Sequence, residues 1–545
     1  MFGPLSQSTA LSRFRLHSED RPDPRFVLGS RAVNGLRRIL LLVVLFFVWV
    51  GNIDALDLRV VGRDGRALSG ARVMVIGTSG FFVADGDGRV VIDPAPELPV
   101  IFFIARPDGV ALKPVTVGEL PADGVLEITV EAAGETVTVI SGAVPDLELP
   151  PATAATVLGK SDLEQRATTS LTQTIENLPG AGRSGSGHGM VPSLRGLPKH
   201  RTLVVLDEGR VTTERRAGPS ASFLDPESVD EVEVVRGPGS VAYGSDAFGG
   251  IIRARSRMPG PQQGAAVRYS LLGGAGIPEL GVTAEATAPG LGGGLLFGGH
   301  WRRYDDYSSP EGTVANSGAE LSGFRAAYQR SAGSGVISVG WRSDLGREIG
   351  KPAPDSLEER VFYSRDDSHR FNLGFETPGP GAWNRVAASV FWDDYRLVLD
   401  KDRYAADGDP RLLRVSDTDA NDYGLRVEAE RPVGPFRMVL GLDLSGRFDL
   451  HAVNRSTTLD ATGGIIESAS DVAIDEANRN DLGLFAAMNR DWDRWQLAAG
   501  LRFDAIRTNN RGGYFGNVST SNTDLSGFLA LTRDIGAGVA ATVQI

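Results

Sequence analysis

A mainly β chain in three parts is what the sequence predicts: an N-terminal β-sandwich, a small α/β domain, and an antiparallel transmembrane β-barrel that is partial. Three observations predict it. Residues 56–131 are short β-branched runs broken by Gly/Asp turns. Residues 152–258 mix two short helical patterns, glycine-rich loops and apolar strands. From residue 262 onward, apolar and charged residues alternate over runs of about ten, the length a tilted strand needs to cross a bilayer.

The first element is apolar. Ile39 to Val50 is an unbroken hydrophobic stretch preceded by Arg37 and Arg38. A spanning helix needs about twenty such residues, so this run reads as a signal-peptide core with Ala55 as a cleavage point. An uncleaved inner-membrane anchor is the alternative. Residues 1–55 are therefore assigned to a signal peptide and N-terminal extension.

The sandwich at 56–131 follows. Leu58 to Val61, Ala71 to Ile76, Arg89 to Ile92, Val100 to Ile104 and Leu126 to Val130 are its strand candidates. Asp85-Gly-Asp-Gly88 has the start of a calcium loop but lacks the remaining ligands, so a hairpin turn is the better reading. Residues 132–151 form a linker carrying one β-prone hexamer: Glu135, Thr136, Val137, Thr138, Val139 and Ile140. Such a segment has unpaired backbone groups and can add itself to another protein's sheet, or it is the last strand of the sandwich.

The α/β block comes next. Ser161 with Glu164 reads as a helix start. Leu171, Ile175 and Leu178 have helical spacing and Pro179-Gly180 stops that helix. A Gly/Ser loop runs to Gly189; it lacks the lysine and hydroxyl residue of a phosphate cradle. Thr202 to Leu206 and Val229 to Arg236 read as strands.

In the last part, Phe436, Met438, Leu440, Leu442 and Leu444 alternate with Arg437, Gly441, Asp443, Ser445 and Arg447. Roughly fourteen strands are expected, with Arg396 to Asn421 and Asn454 to Asn480 as long polar extracellular connections. Trp301, Tyr304, Trp341, Trp383, Trp392, Tyr395, Trp492 and Trp495 are expected to form interfacial girdles.

Composition narrows function. A net charge of −12 argues against nucleic-acid binding. The chain has no cysteine, and its six histidines are scattered, so no metal site or cofactor is expected. No paired carboxylates or nucleophile elbow supports an enzyme.

The most specific signal is a run of motifs: Asn177-Leu-Pro-Gly180, Leu194-Arg-Gly196, Leu203 to Gly209, and Glu231 to Ile252 with its Arg-Gly-Pro-Gly-Ser and Tyr-Gly-Ser-Asp-Ala-Phe-Gly-Gly. Over these residues the chain resembles TonB-dependent outer-membrane receptors, whose plug domain carries them in this order. The matched plug positions are Pro179, Gly180, Arg195, Gly196, Asp207, Arg236, Gly237, Pro238, Tyr243, Gly244, Gly249 and Gly250. One departure is Glu208, inserted into an Asp-Gly turn that it should lengthen. The first module resembles the carboxypeptidase regulatory-like domain that often precedes such plugs.

The resemblance implies a fold and a function. Residues 152–258 would be the plug and 262–545 part of the barrel. The hexamer at 135–140 would be the TonB box, with the energy-transducing TonB protein as partner. Arg195 and Arg236 would pair with barrel glutamates. Arg183, His188 and Met190 on the glycine-rich loop are the ligand-binding candidates. The implied activity is import of a scarce nutrient — siderophore, corrinoid or glycan — from the cell outer membrane into the periplasm. Partners would be TonB, outer-membrane lipid and a small-molecule or glycan ligand. A surface-binding or signalling receptor without transport, or a non-functional truncated receptor, is the alternative. Family barrels have about twenty-two strands, so a C-terminally incomplete chain is expected.

Overall fold

The computed structural model describes residues 56–62, 67–75, 82–92, 100–105, 115–117 and 125–130 of the N-terminal part. It describes residues 154–545 except 167, 213–223, 237–239, 245, 261–263, 275–278, 353–357, 378, 380, 382, 406–407, 493 and 537–538. The signal-peptide segment, the linker with Glu135 to Ile140, and the plug-motif residues Gly237 and Pro238 lie outside the described residues.

Two small sheets form the N-terminal part. Leu56–Gly62 pairs antiparallel with Arg89–Ile92 and parallel with Val125–Val130. Arg72–Val75 pairs with Phe82–Val83 and with Val100–Ala105, which continues to Val115–Val117. Alternation sends every second residue inward. Leu58, Val60, Val90 and Ile92 of one sheet therefore share a core with Val73, Val75, Phe102 and Ile104 of the other. The Asp85 carboxylate accepts the N–H groups of Asp87 and Arg89, both at 2.9 Å, so it closes a hairpin turn.

The α/β domain is built on a five-stranded mixed sheet. Its order is Gly209–Arg210, Thr202–Leu206, Gly250–Ser256, Val229–Arg236, Ala154–Gly159. Thr202–Leu206 and Gly250–Ser256 run parallel; the other neighbours are antiparallel. A small sheet of Ala181–Ser184, Val191–Leu194 and Leu197–Pro198 lies beside it in sequence. The first helix spans Lys160–Arg166, so Ser161 sits inside it rather than capping it. The Gly159 N–H donates to the Asp162 carboxylate at 3.1 Å. The second helix, Leu171–Ile175, is capped by Ser170, whose hydroxyl accepts from the Gln173 N–H.

From Ala266 onward the chain forms a 14-stranded antiparallel sheet. Thirteen strands follow sequence order, and the short strand Ile349–Gly350 pairs aside with Glu359–Thr377. Its outward residues are apolar and exposed on one parity, among them Val267, Tyr269, Leu271, Phe297, Trp341, Leu501 and Phe503. Its inward residues are charged and buried, among them Arg302, Arg342, Arg370, Asp393, Asp422 and Arg502. Apolar-out and polar-in is the patterning of a strand wall facing lipid. Among the described residues no helix is long and apolar enough to cross a membrane.

Two expectations are corrected. Arg396 to Asn421 and Asn454 to Asn480 are not loops. Arg385–Tyr404 pairs with Pro410–Val433, and Phe436–Leu459 with Ile465–Trp492, so both stretches are tall hairpins with short turns. Beyond the lipid-patterned segments the strict apolar alternation lapses, yet the backbone ladder continues. Tyr304 and Tyr395 are not girdle residues, because they are buried on the inner face.

Candidate functional site: the interface between the α/β domain and the sheet wall

The sheet wall carries inward arginines on strand after strand, and they meet the α/β domain. Arg370, fully buried, donates to the carbonyl oxygens of Leu206 at 3.0 Å, Gly209 at 3.2 Å and Arg210 at 3.1 Å, and to Asp393 at 2.9 Å. Arg325 donates to the Ser228 and Arg257 carbonyls. Arg342 donates to the hydroxyls of Ser256 and Ser228 at 3.0 and 3.2 Å. Arg426 donates to the Ala242 carbonyl at 2.9 Å and lies over the Tyr243 ring. Arg447 reaches the Thr212 carbonyl. A planar guanidinium suits this work because it offers five donors in a fixed fork.

Gly209 explains how Arg370 comes so close. A Cβ there would lie 2.6 Å from the Phe391 ring and 2.8 Å from Arg370 Nη1. Any side chain would push the domain off the wall.

A second set of contacts is ionic. Asp225, fully buried, lies 2.5 Å from Arg302 Nη2, accepts from Thr283 at 3.1 Å, and faces His300 at 3.8 Å. Burial pushes the Asp225 carboxyl up, but Arg302 and His300, with the Glu227 N–H, more than offset this and hold it below the usual range. Arg257 pairs with Asp230 at 2.8 Å within the domain and with Glu285 on the wall. Glu227 accepts from Ser270 at 2.8 Å and lies 3.7 Å from Arg268.

The sequence-predicted residues fall in several places. Gly180, Gly196, Gly244 and Gly250 all have positive φ. At Gly250 a Cβ would lie 2.1 Å from the Val235 carbonyl oxygen, so only glycine fits. Pro179 is exposed in the turn after the second helix, and a Cβ on Gly249 would lie 2.8 Å from the Leu194 carbonyl oxygen. The Asp207 carboxylate accepts the Ser256 N–H and hydroxyl, both at 2.7 Å. Tyr243 is buried, its hydroxyl 3.4 Å from Glu208.

Glu208 does not lengthen its turn. Leu206 pairs with Gly209, leaving Asp207 and Glu208 as the two residues of the tightest hairpin, at φ of 49° and 63°. Its carboxylate bonds Arg253. Burial pushes it up, and Arg253, Arg255 and Arg426 together more than offset that, holding it below the usual range.

Arg195 is exposed at a positive-φ turn, its N–H bonded to the Gly180 carbonyl. Arg236 is half-buried, with Nη1 unpartnered among the described residues. Neither has a described ion pair with the wall. Arginines hold the interface from both sides: Arg257 of the domain pairs with the wall's Glu285, and the wall supplies the others. A parity count would have found them: Arg302, Arg342, Arg370 and Arg502 each share a face with the polar residues of their strand.

Of the three ligand candidates, His188 meets the wall. Arg183 is exposed and 3.3 Å from Glu176. His188 is buried and stacks on Tyr304 at 4.1 Å. Burial lowers its pKa to about 4. Met190 is buried beneath the same loop. The loop is tied down by Ser186, which donates to the Pro352 carbonyl at 2.6 Å.

Residues 151–251 match the family model described as the TonB-dependent Receptor Plug Domain. The chain is 34% identical over 161 residues to a hemin receptor of Yersinia enterocolitica, covering 27% of this chain and 23% of that protein. It is 28% identical over 225 residues to the vitamin B12 transporter BtuB of Vibrio vulnificus, covering 39% and 36%. Among solved structures it resembles the copper transporter OprC, with a TM-score of 0.58, 20% identity, and 70% and 60% coverage. The unliganded ferric citrate transporter FecA gives a TM-score of 0.57 at 15% identity, with 72% and 62% coverage. The chain thus spans about a quarter to a third of these curated relatives and under two thirds of these solved chains.

Proposed function

We propose that this protein is a TonB-dependent outer-membrane receptor that binds a scarce nutrient at the cell surface and imports it into the periplasm. The observation that carries the reading is a plug-type domain held against the polar face of a lipid-patterned strand wall by buried arginines. A domain so held obstructs the wall's interior and needs work to move. The ligand is a small nutrient of the siderophore, corrinoid or glycan class. Relatives named for hemin and vitamin B12 support a compact, metal-bearing member of that range.

The N-terminal part is the carboxypeptidase regulatory-like module, and Glu135 to Ile140 is the TonB box. TonB takes hold of the box by strand addition, through backbone hydrogen bonds. Val137→Pro removes a donor from that pairing. Cells lacking other receptors, supplied with hemin, cyanocobalamin or ferric siderophores, should accumulate at least one in an energy- and TonB-dependent way. Val137→Pro should abolish accumulation and leave surface binding intact. Surface binding with no accumulation in the unaltered protein would favour a binding or signalling receptor instead.

A further inference from the structure

The contacts between plug and wall are of two chemical kinds, and the buried ion pairs among them are concentrated on one side of the plug. On the strands Ala266–Gly274, Glu279–Gly290 and Gly293–Tyr304 ion pairs cross the interface, beside donations from Arg268 to the Glu227 carbonyl at 3.2 Å and from Arg302 to the Thr168 carbonyl at 3.4 Å. Asp225 faces Arg302, Arg257 faces Glu285, and Glu227 lies near Arg268. The Asp225–Arg302 pair is sealed from water, at 0% and 2% exposure.

From Glu359–Thr377 to Trp495–Asn510 the contacts differ. Arg370, Arg426, Arg447 and Arg502 touch the plug through its carbonyl oxygens, and Arg426 also through the Tyr243 ring. Each is already neutralised by a carboxylate of the wall: Asp393 at 2.9 Å, Asp443 at 2.8 Å, Asp422 at 2.6 Å and Asp504 at 2.8 Å respectively. The ion pair described across this side, Arg479 to Asp246 at 3.4 Å, is partly exposed on both partners.

These two kinds of contact separate at different cost. Parting Asp225 from Arg302 leaves an uncompensated charge on each surface, the expensive way to break a buried pair. Parting Arg370 from the Leu206 and Gly209 carbonyls leaves the Arg370–Asp393 pair whole, and water replaces the lost bonds. A cavity lies between Glu208, Arg210 and Tyr243 of the plug and Phe391, Arg426 and Asp443 of the wall. A second lies between Val241 and Ala242 and the wall residues around Glu428 and Phe485.

We propose that the plug stays attached to the first three strands and parts from the wall along Arg370, Arg426, Arg447 and Arg502, so that the import path opens on that side. The arginines freed from plug carbonyls then line the path. Their exchangeable partners are acceptor oxygens, so the path suits a ligand that presents carbonyl, carboxylate or hydroxyl oxygens. The inference rests on the transport reading above and adds which face moves.

The chain has no cysteine, so introduced thiols are the only ones. Thr212 contacts Asp422 across the carbonyl face at 2.5 Å, and Ser270 contacts Glu227 across the ionic face at 2.8 Å. Thr212→Cys with Asp422→Cys, bridged by a short reducible bis-thiol reagent, should stop uptake, and reduction should restore it. Ser270→Cys with Glu227→Cys, bridged likewise, should leave uptake within about twofold of the single variants. A block by the second bridge, or none by the first, overturns the proposal.

A readout independent of uptake separates this from failure of the transport reading. Ser445→Cys, in the first cavity, should react with maleimide several-fold faster in energised cells that have TonB than in cells that lack it. Thr283→Cys, on the ionic face, should not change. Equal acceleration at both, or at neither, overturns the proposal. Absent uptake in the unaltered protein would count against transport alone.

Discussion

His188 belongs to the plug's glycine-rich loop and packs its ring against Tyr304 at 4.1 Å. Desolvation lowers its pKa to about 4, so the packed state holds the neutral ring. An opening that wets the ring returns it to about 6.5. The sign follows from linkage: the packed loop has its full stability above about pH 6.5 and loses it as the pH falls toward 4. The limit is a few kcal/mol, since each pKa unit is worth about 1.4 kcal/mol. Proteolysis within residues 183–190 should therefore speed up between pH 7 and pH 5. His188→Phe keeps the ring contact and removes the charge, so its cleavage rate should not rise over that interval. An equal rise in both proteins would locate the pH sensitivity elsewhere. The residue was visible in the sequence as a candidate, but its stacking partner was not. Tyr304 reads as an interfacial aromatic until its parity is matched to buried Arg302, two residues before it.

Strands of the wall were legible because lipid on one face and a polar interior on the other impose a period of two. Phe371 and Leu373 against Arg370 and Asn372 state the rule within four residues. The same reasoning ended at the membrane edge. In the hairpin of Arg385–Tyr404 and Pro410–Val433, Arg396 pairs in register with Asp419 and Leu397 with Thr418, and the apolar residues Tyr395 and Leu397 turn into the core shared with the plug instead of to lipid. Pairing partners were illegible for another reason: which carbonyl an inward arginine meets depends on how the plug is seated, which no local pattern encodes. Arg370 makes the case testable. Arg370→Met keeps most of the volume but strands Asp393 and three plug carbonyls. Ser368, which donates to Asp393 at 2.7 Å, softens the loss. A cost of about 3–5 kcal/mol is expected from removing one partner of a buried pair. The plug should become sensitive to protease at concentrations the unaltered protein resists, while the wall stays folded. Unchanged protection would mean these bonds do not hold the plug.

At the scale of the whole molecule, the cores decide what unfolds together. One apolar cluster joins plug residues such as Leu171, Ile175, Leu194 and Val204 to wall residues Tyr304, Leu321, Tyr363 and Tyr395. The N-terminal sheets have a separate cluster, Leu58, Val73, Phe102 and Ile104 among them, with no member from plug or wall. Residues that share a core melt cooperatively, and a unit with its own core is able to fold by itself. An in-frame deletion of residues 56–130 should therefore leave the thermal midpoint of plug and wall within about 2 °C of the intact protein's, a shift no larger than a loss of about 1–2 kcal/mol would cause in a unit of this size. Calorimetry of the intact protein should show a separate, lower-enthalpy transition that the deletion removes. Because the deletion spares Glu135 to Ile140, uptake should persist if the TonB box lies there. A single merged transition, or a falling plug-and-wall midpoint on deletion, would show that the N-terminal sheets brace the plug, and the separation of cores would then not describe how the molecule unfolds.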